Sequence, residues 1–239
     1  MSLEDRVAIA VMAKTPRAGR SKTRLCPPLL PEQAAELAGA FLSDVTGNIV
    51  RAGTRVPADP WVAYAPAGDE CLFAGLLAPT TRLLLADGAG EDAPGVEGFG
   101  RCLLQAIRRL LDMGYGAACV LNADSPTLPT AHLISLARQL RDGAAAVMGA
   151  AEDGGYYVLG MRAAHPRLFA GIAWSSDAVA EQTRARAHAM SLPLIELPAW
   201  YDVDDRAALA RLYAELAADA VVAPATRAAV ARLGIADAA

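Results

Sequence analysis

Short apolar runs alternate with longer amphipathic segments along this chain. RVAIAVMA, at 6–13, is rich in β-branched residues and bounded by polar ones, so the pattern predicts a buried strand. The segment 31–53 opens with proline, ends at glycine and carries apolar residues at helical spacing, which predicts a helix. The alternation of strand and helix repeats through the rest of the chain.

The same criteria assign the remaining elements. Short apolar runs predict further strands at 61–65, 81–86, 117–123, 144–150 and 192–198. Amphipathic spacing predicts further helices at 68–77, 101–114, 130–142, 173–189 and 204–219. The segment DGGYYVLGMR, at 153–162, joins an acid and two glycines directly to the start of a strand.

This order of elements favours an α/β fold. The connections between predicted strands are long enough for crossovers, so we expect a mostly parallel sheet flanked by helices on both faces. We expect a single domain over 1–219, with 220–239 as a helical tail packed on it. Ligands of such sheets bind beyond the carboxyl ends of the strands, which selects the loops 14–28, 87–100 and 123–129.

Composition and charge narrow the class of partner. The net charge is −4, whereas a broad nucleic-acid or anionic-membrane surface needs a basic field, so we expect neither partner. No apolar run approaches the roughly 18 residues of a spanning helix, and the N-terminal segment lacks the pattern of a secretory signal. The four cysteines lack metal-ligand spacing and are expected to be reduced, which indicates a cytoplasmic protein.

The first of the three loops is the most basic stretch of the chain. Its five cations lie within eleven residues: Lys14, Arg17, Arg20, Lys22 and Arg24. Gly19 lies among them, and a glycine-containing loop after a buried strand can direct backbone N–H groups at an anion. We predict a polyphosphate site formed by these cations, with Arg20 the one that is merely exposed. The alternative is a solvated basic loop.

Acidic residues follow two of the predicted strands. Asp124 comes directly after the strand 117–123, and Asp202 and Asp204 flank Val203 before the last long helix. Mg²⁺ takes one or two protein carboxylates and fills its shell with phosphate oxygens and water, so Asp124 and one of the later pair can form an ion site. The alternative is structural, since aspartates are also common in turns and at helix N-caps.

Five motifs in this order resemble a known group of proteins. They are AKTPRAGRSKTRLCPPL, NADSPTLP, AEDGGYYVLGMR, AWSSDAVAEQT and YDVDD. Together they are similar to a glycosyltransferase-like family of the nucleotide-diphospho-sugar transferase superfamily, which has the GT-A fold. That family is related to phospholactate guanylyltransferase and to the molybdenum-cofactor guanylyltransferases. The resemblance extends over residues 6–215.

The resemblance implies three sets of site residues. For the nucleotide, the basic loop and the loop 87–100 together give Lys14, Arg17, Gly19, Lys22, Arg24 and Gly100. For a metal, Mg²⁺ or Mn²⁺, the implied ligands are Asp124 and Asp204. For an acceptor or sugar, the implied residues are Asp153, Gly154, Gly155, Tyr156, Trp174 and Ser175.

The implied activity is a metal-dependent transferase that uses an activated nucleotide and a small-molecule acceptor. The reaction is either nucleotidyl transfer to a phosphate-bearing acceptor or glycosyl transfer from a nucleotide-sugar; the dense basic loop favours the first, since it suits a triphosphate. In both, Lys22 and Arg24 would stabilise the leaving group, and Asp153 would position the acceptor or act as a general base.

The end of the loop 87–100 departs from the family pattern. Family members often carry Gly-Glu-Arg-Met where this chain has Gly100-Arg101-Cys102-Leu103. The alternative to an enzyme is therefore a protein that binds a nucleotide or nucleotide-sugar without turnover.

Overall fold

The computed structural model describes residues 2–235, in which helices cover both faces of one seven-stranded sheet. The strands are β1 Val7–Ala13, β2 Ala58–Tyr64, β3 Arg82–Leu85, β4 Ala117–Leu121, β5 Ala146–Ala151, β6 Tyr156–Met161 and β7 Leu194–Trp200. The helices are α1 Pro31–Gly53, α2 Phe99–Asp112, α3 Thr130–Arg141, α4 Val179–Ala189, α5 Arg206–Ala218 and α6 Pro224–Leu233. Residues 236–239 of the predicted tail lie outside the described residues.

The strand order in space is β3-β2-β1-β4-β6-β5-β7, and every pairing is parallel except those of β6. β6 lies antiparallel between β4 and β5, with Leu159 opposite both Val120 and Met148. The mostly parallel sheet is therefore confirmed. Because β6 runs the other way, its first residues meet the carboxyl ends of the other strands at the same edge.

Each central strand separates large from small side chains. In β1, Val7, Ile9 and Val11 pack in the cluster beneath α1 and α3. Ala8 and Ala10 face the opposite side, in the cluster beneath α2 and α4. All five side chains are buried, as expected for a central parallel strand covered on both faces.

A third cluster joins α5 and α6 to the outer face of α1. Phe41 of α1, Leu212 of α5 and Val230 of α6 are all buried in it. The buried Asp44 accepts hydrogen bonds from the backbone N–H groups of Ala225 and Thr226, at 3.0 and 2.7 Å. A carboxylate at this position satisfies two of the free N–H groups at the N-terminus of α6 and complements its dipole.

Two predicted helices differ from the structure. The segment predicted as a helix at 68–77 forms only a 3₁₀ turn, Glu70–Phe73. The helix predicted at 173–189 begins at Val179, because Ser175 adopts a left-handed backbone conformation (φ 66°) that a right-handed helix does not permit. Trp174 and Ser175 therefore lie in a loop before α4.

Among the helices of residues 2–235, none combines the length and apolar character needed to cross a bilayer.

The buried position of Ile9 gives a test of this core. Ile9→Ala removes a side chain that is 0% exposed and leaves a cavity, so it should lower the free energy of unfolding by roughly 2–5 kcal/mol. The matched control is Ile195→Ala in β7, whose side chain is 36% exposed and which should cost less than about 1 kcal/mol. Urea denaturation measures both; equal losses would contradict the central position of β1.

Candidate active site

A basic cleft opens beyond the carboxyl ends of β1 and β4. It has a volume of about 310 Å³, within the range of small-molecule sites. Four of the five cations of the first loop line it: Lys14, Arg20, Lys22 and Arg24. Asp124 and Asp204 line it as well. The cleft therefore carries more positive than negative side chains in a protein that is acidic overall.

The Lys22 ammonium lies between the two predicted metal ligands. Its Nζ lies 2.6 Å from Oδ1 of Asp124 and forms an ion pair with the carboxylate of Asp204. It also donates a hydrogen bond to the backbone carbonyl of Val203, at 2.9 Å. The Lys22 side chain is only 7% exposed. Burial would lower the pKa of Lys22, but the charges of Asp124 and Asp204 outweigh it and raise that pKa.

This arrangement differs from the expected role of Lys22. We expected Lys22 to contact phosphates, yet it holds together the two carboxylates expected to bind a metal. The two carboxylates and the carbonyl of Val203 all face one point, and oxygen ligands of this kind suit Mg²⁺ or Mn²⁺. In residues 2–235, no three or more His, Cys, Asp or Glu side chains are grouped to hold a metal ion. An ion here would complete its shell with substrate and water.

Backbone contacts bring Asp124 and Asp204 together. The N–H of Val203 donates to the carbonyl of Asp124 at 2.9 Å, and the Ser125 hydroxyl donates to the carbonyl of Tyr201 at 2.8 Å. The loop after β4 is thus tied to the segment after β7, although the two are about 80 residues apart in the chain.

The three late acids, Asp202, Asp204 and Asp205, have separate environments. Asp205 caps α5 by accepting a hydrogen bond from the N–H of Ala208 at 2.8 Å. Burial raises the pKa of Asp202 to about 7, and the negative charges of Asp153 and Asp204 add to the rise. Helix capping, the structural alternative for these acids, therefore accounts for Asp205 but not for Asp204.

The positions of Arg17 and Arg20 are the reverse of our expectation. Arg17 pairs with Asp69 at 2.6 Å, and the Thr15 hydroxyl donates to the same carboxylate at 2.6 Å. Asp69 is nearly buried and needs a cationic partner, so it draws Arg17 away from the cleft. Arg20 lines the cleft in its place, and Gly19, at φ 71°, forms the turn between the two arginines.

A second cavity adjoins the basic cleft. This chamber has a volume of about 530 Å³ and shares Arg24, Asp124 and Asp204 with the cleft, so the two meet at the carboxylate pair. Five of the six predicted acceptor residues line it: Asp153, Gly155, Tyr156, Trp174 and Ser175. Four further residues that line the chamber were not predicted as site residues: Phe99, Ser176, Asp177 and Val179.

The two glycines of DGGYY fix the wall of the chamber. Asp153 accepts a hydrogen bond from the N–H of Gly155 at 2.8 Å, which commits Oδ1 to the turn. Gly154 has a φ of 92°, and a Cβ there would lie 2.0 Å from the carbonyl oxygen of Asp177. The carbonyl of Gly154 also accepts a hydrogen bond from the N–H of Ala180 at 2.8 Å. The turn is thus docked against the loop before α4.

Gly100 supports the aromatic side of the chamber. A Cβ at Gly100 would lie 2.9 Å from the ring of Trp174, so the glycine leaves room for that ring. Trp174 meets Phe99 edge to face, with ring centroids 5.9 Å apart. Gly100, predicted to contact the nucleotide, makes room for Trp174 in this structure. The neighbouring Arg101 donates to the carbonyl of Val96 at 3.0 Å, within its own loop.

The docking of the turn gives a second test. Gly154→Ala would force a side chain into both a left-handed conformation and the Asp177 carbonyl, so it should lower the free energy of unfolding by roughly 1–3 kcal/mol. It should also speed hydrogen exchange at the amide of Ala180. The control is Gly155→Ala, whose Cβ would meet only the movable Asp153 side chain, at 3.1 Å, and should cost less than about 1 kcal/mol. Identical behaviour of the two variants would contradict the docking.

Several solved structures are similar to this chain in fold. A protein of Desulfovibrio desulfuricans G20, provisionally described as a nucleotide-diphospho-sugar transferase, is 25% identical with a TM-score of 0.80, covering 99% of this chain and 97% of that one. CMP:2-keto-3-deoxy-manno-octonic acid synthetase, complexed with CTP, is 13% identical with a TM-score of 0.56, covering 89% and 98%. Glucosyl-3-phosphoglycerate synthase from Mycobacterium tuberculosis is 11% identical with a TM-score of 0.51, covering 89% and 79%.

These similarities confirm the predicted fold, that of the nucleotide-diphospho-sugar transferases. No curated protein matches the chain by sequence. One family does match, over residues 48–176, and its description is "Uncharacterized protein conserved in bacteria (DUF2064)". The match spans more than half of the chain and includes Asp124, the DGGYY turn and Trp174. The chain therefore belongs to the DUF2064 family.

Proposed function

We propose that this protein is a metal-dependent transferase that acts on an activated nucleotide and a small-molecule acceptor in the cytoplasm. One observation carries the proposal: a basic cleft and an aromatic chamber meet at a single pair of carboxylates, Asp124 and Asp204. A nucleotide whose phosphates lie in the cleft would present the transferred group at this junction, where the chamber begins.

The cations of the cleft suit a polyphosphate. Lys14, Arg20 and Arg24 are exposed to the cleft and form no ion pair among the described residues, so their charge is available to a ligand. Arg24 also lines the chamber, which places it at the junction, where it would stabilise charge on the leaving phosphate. The similarity in fold to a synthetase complexed with CTP and to a synthase complexed with uridine diphosphate supports a nucleotide ligand.

Asp124 and Asp204 would hold Mg²⁺ or Mn²⁺. When bound, such an ion polarises a phosphoryl oxygen and neutralises charge that develops on the leaving group. The similar glucosyl-3-phosphoglycerate synthase is complexed with Mn²⁺. The two carboxylates face one point, as such an ion requires.

The chamber would receive the acceptor or the sugar. Trp174 and Phe99 provide an apolar wall against which a ring can stack. Asp153 has one oxygen committed to its turn and one left to accept a hydrogen bond from a hydroxyl. The same geometry serves nucleotidyl transfer to a phosphate-bearing acceptor and glycosyl transfer from a nucleotide-sugar, with Asp153 as a possible general base in the second.

The proposal is tested with a panel of nucleoside triphosphates and nucleotide-sugars, each with and without Mg²⁺ or Mn²⁺. We expect at least one nucleotide to raise the melting temperature, and to raise it more with metal, because a ligand that binds only the folded state stabilises it. If none does, the proposal is wrong. The best ligand is then assayed for product; tight binding with no product across acceptors would favour the non-catalytic binding protein.

Neighbouring aspartates provide a matched pair for the metal assignment. Asp204→Asn should weaken nucleotide binding in the presence of metal by at least about tenfold, since loss of even an outer-shell partner of a metal has effects of that size. Asp205→Asn should leave this binding unchanged, because asparagine caps a helix about as well as aspartate does. Isothermal titration calorimetry measures both. An unchanged affinity in Asp204→Asn would refute its role as a ligand.

The two arginines of the first loop provide another pair. Arg20→Ala should weaken nucleotide binding about tenfold, because it removes a charge-assisted contact of the cleft. Arg17→Ala should change that affinity less than about threefold but lower the free energy of unfolding by about 1 kcal/mol, since the nearly buried Asp69 loses its cation. Calorimetry and urea denaturation separate the two effects. The reverse outcome would restore the original assignment of Arg17 to the phosphates.

A further inference from the structure

The position of Lys22 has a consequence for metal binding. An Mg²⁺–oxygen distance is about 2.1 Å, only about half an ångström shorter than the 2.6 Å between the Lys22 Nζ and Oδ1 of Asp124. The ammonium and a divalent ion held by Asp124 and Asp204 would therefore occupy the same point. Because both are cations, they cannot share the pair of carboxylates.

Charge determines where Lys22 can go. With Lys22, the two carboxylates sum to a net charge of −1; with a divalent ion in its place they are neutral, and the ammonium is left over. The rest of the cleft is lined by the cations Lys14, Arg20 and Arg24, which repel a displaced ammonium. Phosphate oxygens in the cleft would give it a new partner.

The use of lysine at this site is distinctive. The chain has 22 basic residues, of which only Lys14 and Lys22 are lysines, and both line the cleft. A lysine carries one compact ammonium on a flexible stem, whereas arginine carries a rigid, forked guanidinium. A compact charge on a flexible stem can exchange one set of oxygens for another. The backbone of Lys22 is left-handed, at φ 50°, a conformation that residues other than glycine adopt rarely.

We propose that Lys22 is an internal counter-ion of the metal site, which holds Asp124 and Asp204 until nucleotide phosphates take up its ammonium. This inference rests on the proposed function and adds to it that metal binds tightly only together with nucleotide. Metal alone binds weakly because it must displace Lys22 into a basic cleft. Metal and nucleotide bind together tightly, and by linkage each increases the affinity of the other by the same factor.

The test is the affinity of the protein for Mn²⁺ alone. Electron paramagnetic resonance and the metal-induced rise in melting temperature both measure it. For the native protein, the best nucleotide of the panel should tighten Mn²⁺ binding at least about tenfold, within the range usual for coupled sites. Lys22→Met removes the competing charge while keeping a flexible side chain. It should bind Mn²⁺ without nucleotide about tenfold more tightly than the native protein. The coupling should fall by a similar factor, leaving only the part that arises when phosphate oxygens ligate the metal.

Two further variants serve as controls for this test. Lys14→Met removes the other lysine of the same cleft and should strengthen the binding of Mn²⁺ alone much less than Lys22→Met does. Lys22 is the lysine paired with the two carboxylates, whereas Lys14 acts on the site only through its charge in the cleft. Lys22→Gln provides a second, neutral replacement should Lys22→Met leave the carboxylates too destabilised for folding. Circular dichroism confirms that each variant is folded before Mn²⁺ is titrated.

The outcomes separate this inference from the proposed function. If the native protein binds nucleotide and metal together but Lys22→Met and Lys22→Gln bind Mn²⁺ alone no better than the native protein, the counter-ion role is wrong and the transferase proposal stands. Equal gains in Lys14→Met would also overturn the role, since they would reflect only the general charge of the cleft. If no nucleotide binds, but removal of the Lys22 charge still strengthens Mn²⁺ binding, Lys22 does compete with metal for the carboxylates, whereas its release by nucleotide and the transferase proposal are both wrong.

Discussion

The buried ammonium of Lys22 is the interaction on which the site depends. It joins three segments that are far apart in the chain: the loop after β1, the loop after β4 and the segment after β7. A charge that is almost removed from water must be paired, and here it is paired by two carboxylates and a carbonyl at once. Removing Lys22 would leave two neighbouring carboxylates unpaired, and removing both carboxylates would leave a buried ammonium without a counter-charge. The positions of the three segments are therefore coupled, and the basic cleft exists because they converge.

The reversed strand β6 supplies the other half of the site. In a wholly parallel sheet, the start of every strand lies at the edge opposite the ligand loops. Because β6 is antiparallel to both neighbours, its first residue, Tyr156, and the preceding Asp-Gly-Gly turn lie beside the end of β4. Gly154 then lets the turn dock on the backbone of Asp177, which carries the loop with Trp174 over the chamber. One inverted strand thus brings two distant motifs to the carboxylate pair.

The periodic spacing of apolar residues was sufficient to predict most of the fold. It was not sufficient to predict which charged side chains pair with each other. The apolar run of β1, the amphipathic spacing of α2 and the position of Asp124 after a buried strand follow from local patterns. The positions of Arg17 and Gly100 do not, because they depend on partners that no local pattern reveals. Arg17 is drawn to Asp69, about 50 residues away, and Gly100 makes room for the Trp174 ring. The helix predicted at 173–189 begins only at Val179, and the left-handed conformation of Ser175 before it is not marked by any local pattern.

The structural alternatives for the acidic residues can now be weighed against this geometry. A turn before α3 and a cap for α5 are what the fold needs, and Ser125 and Asp205 supply hydrogen bonds for them. The side chains of Asp124 and Asp204 are needed only by Lys22, and Lys22 is buried only because they are there. The stability of the fold does not require these three charges, since apolar replacements of buried ion pairs are often neutral or stabilising. A set of charges that the fold does not require, placed where two cavities meet, is best explained by a ligand that exchanges with them.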